Sequence, residues 1–431
     1  MSETRHVMSE YDKYVMHSFV KSLQPIVVAS AKGATVTDLD GKTYIDCFSG
    51  ISVVNAGHCN PKVIEAVKEQ VEKLIHCCTY VYYTVPATKL ARKLAEITPG
   101  RLQKTFFGNS GAEAVETALR VGRKFSRKHE IISLMCSFHG RTLGTLSVTG
   151  QAGRKNYGMG PYLGDVAFAP APYCYRCSLK LEYPECGVQC AKMVDDVVNY
   201  ATAGNVAEFI AEPVMGEAGI VVPPADYFSE VKKILDRHGI LFIVDEVQTG
   251  FGRTGKMFAS EHYGIAPDAI AMAKGIADGL PLGACTTRAD IGEAFEPGDH
   301  LSTFGGNPVS CAAALANIDY LLENKLADEA LEKGQYVLRR LRELQQKHVL
   351  IGDVRGLGLM LGIELVRDQK LKTPAPSQAE KVRELALGKG VLLGHGGVKG
   401  CTVRVQPPLV ITEQQLDRTV EVIDECLREI R

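Results

Sequence analysis

The run Ile240-Leu-Phe-Ile-Val244 carries no polar residue at any position. A strand that is apolar on both faces must be covered on both faces, as in a parallel sheet sandwiched between helices. The segment before it, Asp226 to His238, has helical spacing and stops at Gly239, a residue suited to the left-handed turn that ends helices. The same alternation runs from about residue 60 to 320. Helical patterns at Pro61 to Leu74 and Ala112 to Phe125 are interleaved with short apolar runs at Ile131 to Met135, Phe209 to Ala211 and Ala269 to Ala273. This texture predicts an α/β fold.

On either side of that stretch the texture differs. Residues 36–46 alternate apolar and polar around Asp40-Gly41, which reads as a hairpin. After about residue 325 come a long charged helix (Leu326 to Lys347) and a glycine-rich apolar stretch, Val354 to Leu365. A helix near Ser377 to Leu387, short strands and a closing helix from Glu413 follow, together a smaller α+β domain. The glycines at 354–363 lack the strand-loop-helix context of a dinucleotide loop, so no such loop is expected.

Charge narrows the function classes. Lys+Arg number 49 and Asp+Glu 50, a net charge of -1. That balance has no electrostatic footprint for nucleic acid or an anionic membrane. No apolar run reaches the ~18 residues a membrane span needs. Met1 to Lys21 is interrupted by Glu3, Arg5, His6, Glu10, Asp12 and Lys13, so no secretory signal is expected. Thirteen cysteines cannot all pair, and a cytoplasmic location is the simplest reading. Four of them, Cys174-x2-Cys177-x8-Cys186-x3-Cys190, are spaced like a zinc knuckle. Structural metal, free thiols and disulfides are all open readings there. No catalytic metal is expected.

In open α/β sheets ligands bind beyond the carboxyl ends of the strands. Those ends carry Phe138-His-Gly-Arg141, Glu212, Asp245-Glu-Val247-Gln248 and Lys274. Most lysines are solvated, but Lys274 ends an apolar strand and is followed by Gly275-Ile-Ala277. Desolvation there lowers an amine's pKa and lets it attack a carbonyl to form a Schiff base. Asp245, ending another buried strand, needs a partner. A structural salt bridge would serve. So would the protonated ring nitrogen of pyridoxal phosphate, which turns that ring into an electron sink. Gly108-Asn-Ser110-Gly111-Ala112 lies just before an amphipathic helix. It reads as an ordinary cap or as a phosphate site at the helix N-terminus.

These segments resemble the class III aminotransferases, pyridoxal-phosphate enzymes of fold type I. The resemblance covers nearly the whole chain. It is carried by DLDGKTYID…GHCNP (38–61), FGNSGAEAVETALR (107–120), FHGRT (138–142), AEPVMGEAG (211–219), DEVQTGFGRTGKMFA (245–259), AMAKGI (271–276), TFGGNP (303–308) and VRGLGLMLGIEL (354–365). It implies a large domain, residues 60–324, with a mostly parallel central sheet covered by helices. It also implies a small α+β domain built from both termini, residues 1–59 and 325–431.

Residue roles follow from the resemblance in the same way. Lys274 would form the Schiff base with pyridoxal 5'-phosphate and shuttle the proton. Asp245 would pair with the ring nitrogen, Gln248 lie near the ring hydroxyl, and Phe138 and Val247 pack on its two faces. Ser110, Gly111 and Ala112 would hold the phosphate, and Glu212 would lie close by. Thr303 would reach the phosphate of a partner subunit in a homodimer, with dimers pairing into tetramers as a further option. Arg141 would bind a substrate carboxylate, for which its planar fork is suited, and Ile51 would line the substrate channel.

Glu217 and Arg404 match a switch pair of ω-aminotransferases; the alternative is a static surface ion pair. Met215 stands where Gln is common in the family. Tyr80, Tyr82 and Tyr83 line the donor pocket or belong to the core. The implied reaction moves an amino group from an ω-amino acid or amine to a 2-oxo acid, 2-oxoglutarate or pyruvate. A racemase or epimerase, a decarboxylating aminotransferase and a cofactor-binding regulatory module are the rival readings.

Overall fold

The computed structural model describes residues 3–18, 23–155 and 158–430. The apolar run forms the strand Leu241–Asp245, buried at every position. It lies between parallel neighbours, Val206–Ala211 on one side and Ala269–Met272 on the other. Beyond Val206–Ala211 the sheet continues in parallel through Glu130–Leu134 to Val166–Ala169. Beyond Ala269–Met272 it continues through Gly283–Arg288, antiparallel to both its neighbours, to Leu102–Gly108. The sheet is thus seven-stranded, mixed and mostly parallel.

Strand pleating explains why the run Ile240 to Val244 is apolar at every position. Ile210 and Ile243 face one side and pack with Ala114, Val115, Ala118 and Leu119 of the helix Gly111–Ser126. Phe209, Phe242 and Val244 face the other side and pack with Phe228, Val231 and Leu235 of the helix Tyr227–His238. Successive side chains point to opposite faces, so both layers are filled from one short strand. Gly239 ends the second helix with φ +61°, as the sequence predicts.

The second sheet joins the two ends of the chain. Its strands run in the order Val28–Lys32, Thr35–Asp38, Thr43–Cys47, Val391–Gly396, Thr402–Val405, Met360–Asp368, Ile351–Leu357, with Thr373–Pro374 beside Met360–Asp368. Thr43–Cys47 and Val391–Gly396 pair in parallel. The hairpin at Asp40-Gly41 forms, with Gly41 at φ +83°. The glycine-rich stretch is an antiparallel hairpin whose strands close at Leu357 and Met360. Among the described residues no helix is long and apolar enough to cross a membrane.

Arg253 ties the pieces together. Fully buried, it donates to Leu359 O at 3.1 Å, to Pro407 O and to Asn55 Oδ1 at 2.6 Å. One guanidinium therefore satisfies acceptors from three distant chain segments, and burial pulls its pKa down to about 9.

A second buried ionisable group has no such hydrogen bonds. Glu208, on Val206–Ala211, is 0% exposed and neither carboxyl oxygen has a hydrogen-bond partner. Burial raises its pKa well above the ordinary value. A raised pKa in the fold means stability that is complete below the unfolded value of about 4.3 and is lost as pH climbs toward the folded one. Glu208→Gln has no charge to suppress. Its melting temperature should exceed that of the wild type near pH 8, with the gap closing toward about pH 5. Equal melting curves near pH 8 would refute this account.

Candidate active site

Four adjacent parallel strands deliver the predicted groups to one end of the large sheet. Asp245 is the last residue of its strand, Glu212 follows Val206–Ala211, and Phe138 and His139 follow Glu130–Leu134. Lys274 follows Ala269–Met272 in a left-handed conformation, φ +48°. Burial lowers the Lys274 pKa, against the opposing pull of Glu217, Asp245 and Glu212.

Asp245 is 3% exposed and has two partners. One oxygen lies 2.7 Å from Nδ1 of His139, and the other accepts from the Val247 N–H at 3.0 Å. His139 was given no role from sequence, although it sits inside the FHGRT motif. Its Nε2 is buried without a hydrogen-bond partner. Glu212 accepts from the N–H groups of Phe138 and Gly216, each at 2.9 Å. It thereby fixes the backbone that carries the Phe138 ring. Burial pushes the Glu212 pKa up to about 7.

The helix Gly111–Ser126 begins beside this group. Ser110 is its N-cap, accepting from the Glu113 N–H at 3.2 Å. A Cβ on Gly111 would stand 2.7 Å from Cγ1 of Val247, so this close approach needs glycine. Ser110 itself is exposed, and Gly111 and Ala112 are half-buried. Gln248 accepts from Nε2 of Gln406 at 3.1 Å, which ties it to the second sheet.

Glu217 and Arg404 do meet, and the pair is buried: Arg404 is 0% exposed and Glu217 6%. A surface ion pair is therefore ruled out. Arg404 Nη1 donates to Glu217 Oε1 at 2.5 Å, and its guanidinium lies 5.3 Å from the Phe48 ring centre. A second arginine holds the other oxygen: Arg154 Nη2 donates to Glu217 Oε2 at 3.1 Å. Held between these cations, Glu217 is pulled down to about 2 despite its burial. Arg154 has no motif around it, and sequence reasoning did not single it out.

The remaining residues are more dispersed. Arg141 is exposed, its guanidinium 5.5 Å from the Phe138 ring centre. Ile51, in a left-handed conformation, lines a cavity of about 1680 Å³ with Phe48, Arg154, His395 and Gly396. Thr303 is exposed. Met215 is fully buried in an apolar cluster.

The tyrosines form no common wall. The Tyr80 hydroxyl donates to Phe107 O at 2.9 Å and accepts from Phe107 N–H at 2.7 Å, bracing an edge strand, while Tyr82 and Tyr83 are exposed. All thirteen cysteines are free thiols. Cys174, Cys177, Cys186 and Cys190 line one small cavity, and no group of three or more His, Cys, Asp and Glu among the described residues could hold a metal ion.

This donor set fits pyridoxal phosphate. A buried carboxylate suits a ring N–H, a helix N-terminus suits a phosphate, an aromatic ring suits a ring face, and a desolvated amine suits an aldehyde. Comparison with known proteins agrees. The family model "Aminotransferase class-III" matches residues 18–427. The acetylornithine aminotransferase of Methanothermobacter thermautotrophicus is 40% identical over 418 residues, 97% of each chain. The leucine/methionine racemase of Thermococcus litoralis is 40% identical over 426 residues, 98% of this chain and 95% of that one. A crystal structure of an (S)-enantioselective omega-transaminase from Thermomicrobium roseum superposes with a TM-score of 0.93 at 32% identity, covering 100% of this chain and 99% of that one. With its motifs, its fold and nearly its whole length in agreement, the chain belongs to the class III aminotransferases, which are pyridoxal-phosphate-dependent transaminases.

Proposed function

We propose that this transaminase takes the amino group from an ω-amino acid or amine and gives it to a 2-oxo acid, 2-oxoglutarate or pyruvate. The observation that carries this reading is the buried Glu217–Arg404 pair. A site that accepts both an amine-bearing and a carboxylate-bearing chain end needs a cation that is masked for one and exposed for the other. Glu217 is that mask.

The other roles follow from position. Bound pyridoxal phosphate supplies an electron sink for the bond broken at the amine-bearing carbon. Ser110, Gly111 and Ala112 hold its phosphate with the free N–H groups of their helix. Asp245, oriented by His139, holds the proton on the ring nitrogen. Phe138 and Val247 flank the ring, Gln248 faces its hydroxyl, and Glu212 keeps Phe138 in place. Lys274 would hold the cofactor's aldehyde, and its free Nζ would take the proton from the amine-bearing carbon, a task suited to a desolvated amine. Arg141 receives a substrate carboxylate against the face of Phe138, and Ile51 lines the approach.

Thr303 completes the phosphate site of a second copy, so the working unit is a homodimer. Exposed Leu301 and Phe304 beside Thr303 support that reading. Thirteen unlinked thiols fit a reducing, cytoplasmic setting.

A racemase reading is favoured by the Thermococcus litoralis relative at 40% identity. A half-reaction panel separates the two. Holoenzyme is mixed with single amines (GABA, β-alanine, ornithine, putrescine, L- and D-amino acids) without acceptor. Stoichiometric conversion of the cofactor to its amine form by an ω-amino donor is expected. An unchanged cofactor spectrum while an L-amino acid loses optical rotation would establish the racemase instead.

Two substitutions probe the roles. Lys274→Ala should abolish turnover while pyridoxal phosphate still binds non-covalently; retained turnover would overturn the assignment of Lys274. Glu217→Gln leaves Arg404 unmasked. It should raise KM for an ω-amino donor by about tenfold, one such factor being about 1.4 kcal/mol, and lower KM for 2-oxoglutarate. Parallel changes in both constants would argue against the mask.

A further inference from the structure

Glu217 is shared between two arginines that differ in access. The Arg404 side chain is 1% exposed, and Nη2 of Arg404 also donates to His395 O at 3.3 Å. The Arg154 side chain is 24% exposed and lies on the wall of the cavity of about 1680 Å³ that Ile51 also lines; Arg404 does not border that cavity. Arg154 ends a short 3-10 turn, Ala152–Arg154, and Gln151 Oε1 accepts from its Nε at 3.2 Å. Its guanidinium lies 5.9 Å from the centre of the same Phe138 ring that Arg141 approaches at 5.5 Å. The three arginines are near enough for Arg141 and Arg404 to oppose the charge on Arg154. Around Glu217 the cations outnumber the carboxylate.

Physical consequences follow from that arrangement. If Arg404 turns to a substrate carboxylate, Glu217 is not stranded as an uncompensated buried charge, because Arg154 already holds its other oxygen. Breaking a buried pair with no second partner is strongly unfavourable. A carboxylate entering along the cavity also meets Arg154 before Arg404. A dianion gains from this excess of positive charge twice, and a monoanion once.

We infer that Arg154 is a specificity-determining residue that selects dicarboxylate over monocarboxylate acceptors, by keeping Glu217 when Arg404 engages the distal carboxylate. This rests on the Glu217–Arg404 mask proposed above.

The test compares wild type, Arg154→Met, Arg154→Lys and Arg404→Met as holoenzymes. The first readout is the ratio of kcat/KM for 2-oxoglutarate to kcat/KM for pyruvate with one common donor. The second is calorimetric binding of glutarate, an unreactive dicarboxylate, against butyrate. Arg154→Met should lower the acceptor ratio at least tenfold, mainly through KM for 2-oxoglutarate. It should weaken glutarate more than butyrate, and Arg154→Lys should restore part of both. A general structural lesion would depress both acceptors and both ligands alike, and that result would overturn the inference. If Arg404→Met lowers the ratio and Arg154→Met does not, the role of Arg154 fails while the mask stands. If neither variant changes it, the mask fails as well, and the inference with it.

Discussion

A carboxylate at the end of a strand buried on both faces has to be satisfied within the protein, and Asp245 is satisfied by His139 at 2.7 Å with both side chains almost fully buried. Water cannot compensate that charge, so the pair fixes the loop that follows the neighbouring strand but one. The same loop carries Phe138, whose N–H is held by Glu212. Four residues from three strand ends are therefore locked into one arrangement by side-chain and backbone hydrogen bonding. A rigid site of this kind is what a cofactor ring needs if its nitrogen and its face are to be addressed together.

The second constraint is a local excess of positive charge. Arg154 and Arg404 share the carboxylate of Glu217, and Arg141 is near enough to oppose the charge on Arg154. Glycines make the packing feasible: Arg404 lies in register with Gly362 on one side and Gly394 on the other. A Cβ on Gly394 would stand 2.6 Å from Phe48, the ring beneath the Arg404 guanidinium. Gly394 thus leaves room for the Arg404 side chain and for the aromatic ring that covers it.

Much of this was legible in the amino-acid sequence because it depends on local pattern. Ile240 to Val244 specified a strand covered on both faces, and strand pleating then divided Phe242 from Ile243. The residues that end the strands could be read as converging, since parallel strands deliver their carboxyl ends to one side. The long helix from Leu326 to Lys347 and the closing helix from Glu413 also follow from periodicity alone. The strands Leu102–Gly108 and Gly283–Arg288 did not announce themselves. Their partly polar composition is tolerated because one pairs antiparallel within the sheet and the other lies at its rim.

What only the tertiary structure decided lies between elements far apart in the chain. The role of His139 emerges from its distance to a carboxylate 106 positions away. Arg154 meets Glu217 across 63 positions with no motif to mark it, and Arg253 joins three segments through acceptors that are mostly backbone carbonyls. Sequence pattern determines which faces are buried and where strands end, because burial acts residue by residue. Which buried charge finds which partner depends on how the sheets and loops come together in space, and that is a property of the folded chain.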